Sequence, residues 1–182
     1  MLYNINKPNI NQKKQITKMK KTIKFALLAI AMTVTMNSFS QGNKYQGEVS
    51  TSYGIGVGTY NANRFCIETV HGIRLNTDVF LGLGLGYNSL TKDGSSVGII
   101  PVFANIKGYV PSESLKPFGS LDFGYGIGTG NLGGLGGIYV SPAVGLSFNK
   151  LNVSLAYQSQ SISESGVSIT FAAIALKVGI TF

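Results

Sequence analysis

The chain has 182 residues, a formal net charge of +8 and one cysteine, Cys66, which excludes an internal disulfide. Seven of the fifteen Lys/Arg and none of the seven Asp/Glu precede Gln41, so residues 41–182 carry eight basic and seven acidic groups, a net of +1, and a nucleic-acid-binding reading loses its premise. Fifteen charges in those 142 residues fall well below the roughly 25% of a soluble domain, and nothing after Gln41 approaches the ~20 apolar residues of a membrane-spanning helix.

Taken in chain order, Met19 to Gln41 reads MKKTIKFALLAIAMTVTMNSFSQ. Three lysines precede a short apolar core, Phe25 to Met36, and small residues follow at Ser38 and Ser40. That is the three-part plan of a secretory signal, with cleavage expected between Ser40 and Gln41. Met19 is the expected start, residues 1–18 an upstream extension, residues 19–40 the signal peptide, and residues 41–182 one domain by length.

Eight segments of period-two alternation follow, each the mark of a strand with two unlike faces. The first, Tyr45 to Thr59, sets Tyr45, Val49, Tyr53 and Ile55 against Gln46, Glu48, Ser50 and Ser52. Arg64–Arg74 and Val79–Tyr87 come next, the latter opposing leucines to Gly82, Gly84 and Gly86. Gly98–Val110 and Pro117–Gly128 carry Lys107 and Asp122 on their mixed faces. Tyr139–Phe148, Leu151–Gln160 and Ser168–Phe182 complete the set. Pro101 and Pro142 weaken their segments, since each removes a ladder donor. Short or polar connections follow the second, fourth and sixth segments; longer ones, such as NSLTKDGSS, TGNLGGLGG and SISESGV, follow the third, fifth and seventh.

An even number of such strands predicts an all-β fold, an eight-stranded antiparallel up-and-down transmembrane β-barrel. The rival is a soluble eight-stranded barrel, and the charges discriminate. Glu48, Arg64, Glu68, Arg74, Lys107, Asp122 and Lys177 all lie on the mixed face, and the other face carries no Lys, Arg, Asp or Glu. A face without charge needs lipid, so the seven charged residues are expected in the lumen. Strand arithmetic about Asn61 puts Glu48 opposite Arg74, with Lys177 on Glu48's other side. The same arithmetic about Glu113–Leu115 puts Lys107 opposite Asp122. Four basic and three acidic groups then nearly cancel in a plugged interior.

On the signal peptide, the eight segments and the closing LKVGITF, residues 41–182 resemble the small outer-membrane β-barrel family of the OmpA and OmpX type, with its porin-like relatives. The resemblance implies a Gram-negative cell envelope, contact with outer-membrane lipid, and handling by periplasmic chaperones. It also implies that Leu176, Val178, Ile180 and Phe182 form the signal read by the barrel-assembly machinery.

Other features have plainer readings. GTGNLG (Gly128, Gly130, Gly133) matches a dinucleotide fingerprint, but loop and strand follow where a helix is needed. The repeats GIGVG, GLGLG and GYGIG are expected to make room for Arg64, Phe103, Tyr139 and Phe171 across the lumen, with a small ligand pocket near the outer mouth as the alternative reading. Barrel enzymes that trim lipid A resemble this scaffold but need a histidine beside a serine toward the outer leaflet. His71, the single histidine, falls at the turn end. No cofactor or metal is called for, and the expected role is non-enzymatic, structural or surface-interacting. A narrow solute channel is the second reading and a lipid-modifying enzyme the third.

Overall fold

The computed structural model describes residues 45–164 and 167–182; the expected signal segment with Ser40 and Gln41 lies outside them. Eight strands, β1 (Tyr45–Val57), β2 (Asn63–Arg74), β3 (Val79–Lys92), β4 (Ser95–Tyr109), β5 (Leu115–Gly128), β6 (Gly136–Phe148), β7 (Leu151–Glu164) and β8 (Val167–Thr181), pair in sequence order, each antiparallel to its neighbour. β8 returns to β1 and closes the barrel. Closure leaves no unpaired edge, which a bilayer interior requires.

Alternation places the side chains as expected, but inside out relative to a soluble fold. Leu83 is 71% exposed and Val144 68%, whereas Arg64, Glu68 and Asp122 are buried. The exterior carries two aromatic levels. Tyr45, Phe148 and Phe182 mark the proximal rim, and Tyr53, Tyr87, Tyr125 and Tyr157 give one outward tyrosine to each odd strand. Eight residues separate Tyr45 from Tyr53; at ~3.3 Å per residue and a tilt of ~40° they span about 20 Å, close to the height of a lipid-facing band.

The strands run further toward the distal rim than the sequence suggests. The expected loop NSLTKDGSS is a hairpin whose turn is Asp93–Gly94 alone, with φ of 48° and 79°. Aspartate–glycine is the pair that tolerates two positive φ angles, and such a turn matches strand twist. β7 and β8 likewise continue to Glu164 and from Val167. The stretch between β5 and β6 keeps its expected loop character, with one 3-10 turn at Gly130–Leu132, where GTGNLG lies. The two prolines act locally: ladder pairing skips Pro101 on the β3 side and Pro142 on the β7 side, while both strands continue.

The seam between β8 and β1 is tied to the last residue. Phe182 and Gly47 exchange two backbone hydrogen bonds of 2.9 Å. The Phe182 ring lies over Gly47, where an added Cβ would sit 2.6 Å from its Cζ. The ring also stands edge-on to His71. Phe182→Asp and Gly47→Val are both expected to lower the yield of folded, heat-modifiable barrel without affecting export. Wild-type yields in both variants would show the rim contact to be dispensable.

Candidate functional site: the barrel lumen

All seven charged residues singled out in the sequence fall on the inward face, but their partners differ from those the strand arithmetic gives. β1 and β2 register with Glu48 opposite Val70, not Arg74. The chain reverses earlier than a turn centred on Asn61, because Gly58 takes a φ of +84°. Ala62 then tucks in over Gly56, whose missing side chain leaves the space. β4 and β5 register with Asn105 opposite Asp122 and Lys107 opposite Ser120. Lys177 lies opposite Ser52, while Glu48 faces Thr181.

The charges instead meet across the barrel, in layers. At the proximal rim Arg74 Nε donates to Gln46 Oε1 at 2.6 Å, and the guanidinium lies 4.6 Å from the centre of the Tyr109 ring. Above it, Lys107 Nζ meets Glu48 Oε2 at 2.5 Å and sits over the Phe118 ring. Asn152 Nδ2 donates to the same carboxylate oxygen at 2.9 Å. At mid-height Lys177 is shared by Glu68, at 2.6 Å, and Asp122, at 3.4 Å. Asn105 Nδ2 donates to Asp122 Oδ1, and Tyr139 OH donates to Glu68 Oε1. Each buried carboxylate thus has a cation and a neutral donor, the condition under which a buried ion pair is tolerable.

Aromatic and apolar groups fill the remaining space. Val70, Phe80, Phe103, Tyr109, Phe118 and Tyr139 form one buried cluster. The glycine repeats serve it as expected at Gly84, where any side chain would strike the Phe103 ring; at Gly126 a side chain would strike Gln160, a neighbour outside the expected four. A cavity of about 10 Å3 lies among Glu48, Lys107, Ser120, Ser154 and Lys177, room for about one water. Toward the distal rim Gln158 Nε2 donates to Ser52 Oγ, and Cys66 Sγ donates to Gln158 Oε1.

The neutral partners Gln46, Asn105, Asn152 and Gln158 were missed as members of this network, although their inward parity is legible. What the sequence lacks is the cross-lumen distance. His71 lies near the proximal rim, with Tyr45 OH at 2.6 Å from Nδ1 and Thr69 Oγ1 at 2.9 Å from Nε2. Both ring nitrogens are engaged in an outward-facing aromatic cluster. Leu176, Val178, Ile180 and Phe182 line the exterior of the closing strand.

This geometry has close counterparts among solved structures. The crystal structure of Neisserial surface protein A (NspA) superposes with a TM-score of 0.56 at 14% identity, covering 78% of this chain and 100% of that one. The fold is that of a small outer-membrane β-barrel. The crystal structure of the outer membrane enzyme PagL gives a TM-score of 0.55 at 15% identity, covering 73% of this chain and 98% of that one. No protein-family model matches the chain, and no curated protein sequence matches it either. Placement of this outer-membrane barrel in lipid accords with its own exterior, an uncharged apolar belt between two aromatic levels.

Proposed function

We propose that this outer-membrane barrel is a non-enzymatic envelope component with a plugged lumen, acting through its exterior and its distal rim. The observation that carries the reading is the crossing of the lumen by Lys107–Glu48 and by Lys177 with Glu68 and Asp122. A solvated ion passing these layers must displace paired charges, since about one water's volume lies beside them. His71 supports the non-enzymatic part: both its nitrogens are engaged on the exterior, away from the inward serines.

Reconstitution in planar bilayers tests the plug. The expected result is no steady single-channel conductance in wild type. A steady, ion-selective conductance would overturn the plugged reading in favour of a narrow channel for small solutes. Turnover of lipid substrates by the purified barrel, abolished by a point substitution, would favour the enzyme reading instead.

A further inference from the structure

Among the described residues the lumen charges do not all find partners. Lys107 and Lys177 between them engage Glu48, Glu68 and Asp122, and Arg74 is half-buried at the proximal rim with Gln46, Tyr109 and the Thr77 carbonyl as neighbours. Arg64 remains. It is 0% exposed, and its guanidinium makes one hydrogen bond, from Nη2 to the Phe171 carbonyl at 3.2 Å. Nε and Nη1 have no partner among the described residues. An ionised group in this state is among the costliest arrangements a folded chain can hold, because desolvation is not offset.

Its surroundings are built rather than accidental. Arg64 pairs with Leu90 across β2 and β3, which makes Asn88 its diagonal neighbour on the same inward face. That spacing is within reach of long side chains. Asn88 is also 0% exposed, and both its amide atoms lack partners among the described residues. Gly54, opposite Arg64 on β1, and the fully buried Ala173 and Ala175 keep the neighbouring wall small. Ala62, Leu90, Ile99 and Ile162 close the distal end, with Leu132, Leu135 and Phe171 packed against them. Bulk water is thereby kept from the guanidinium, so a charge-assisted hydrogen bond made there is strong.

We propose that the distal half of the lumen is a binding site for a small free oxyanion, a phosphate or a carboxylate, held by the Arg64 guanidinium with the Asn88 amide as second donor. The site supplies positive charge and N–H donors, and the apolar lid limits what fits. The lid includes Ala62 from the β1–β2 loop and Leu132 from the β5–β6 loop, so a ligand enters from the distal rim by displacing loop residues, not strands. The proposal holds whether or not the lower ion-pair layers conduct.

Inorganic phosphate, titrated at constant ionic strength into the folded barrel in detergent micelles, is the probe. The Arg64 Nε–H resonance and the Asn88 amide signals should shift saturably. The unfolding midpoint should rise by roughly 9 °C at a hundredfold excess over Kd. Arg64→Met should abolish the rise, whereas Arg74→Met should keep it. Should Arg64→Met fail to fold, the wild-type resonances and Arg74→Met still decide. Either of two results would overturn the site: unsaturable shifts, or an equal response in Arg64→Met.

Discussion

Glu48→Ala is expected to destabilise the folded barrel by about 3–5 kcal/mol, the cost of stranding a buried lysine. Lys107 Nζ sits against Glu48 with its side chain only 5% exposed, and among the described residues no other carboxylate is bonded to it. Asn152 loses its acceptor in the same variant. Lys107→Met should be similarly costly, because it leaves Glu48 with a neutral donor alone. The double variant should recover a large part of the summed loss. Urea unfolding from lipid vesicles measures all three. The pair that sequence arithmetic puts together, Lys107 with Asp122, should show the smaller coupling, since Asp122 is held by Asn105 and Lys177. A larger coupling for Lys107 with Asp122 than for Lys107 with Glu48 would refute the cross-lumen layer.

The second large effect belongs to the exterior. Leu83→Arg and Val144→Arg are each expected to cost about 2–4 kcal/mol in lipid, the penalty for a cation near the bilayer midplane. These are the most exposed aliphatic positions of the belt, and Leu83 lies four residues below Tyr87 on the same strand. Thr170→Arg, on the distal stretch of β8 where Thr170 meets Ser161, should cost about 0–1 kcal/mol, since that level is interfacial. The depth dependence is the discriminating result. Arginine at Ser154 is a poor lumen control, because Ser154 lines the small cavity beside Lys107 and Lys177, and a third cation would overpack it. Equal costs at Leu83 and Thr170 would mean that the belt does not face hydrocarbon.

The alternation of residues decided by itself that there are eight strands, which face of each is apolar, and that the seven charges share one interior. These are local properties: a period of two is written into neighbouring residues and survives any even shift of register. The partners of those charges were decided only by the tertiary structure. The β1–β2 register differs from the expected one by four residues and the β4–β5 register by two, so every inward side chain stayed inward while each ion pair changed. Turn chemistry caused the first shift, through the positive φ of Gly58, and Asp93–Gly94 shortened a loop that composition alone suggested was long. Glu48 reaches Lys107 across the lumen, from β1 to β4, at a distance fixed by closure of the whole sheet. Arg64 was legible as a lumen charge, but only the folded barrel shows that the carboxylates are already taken by the lysines, because that balance is settled by which side chains meet at the axis.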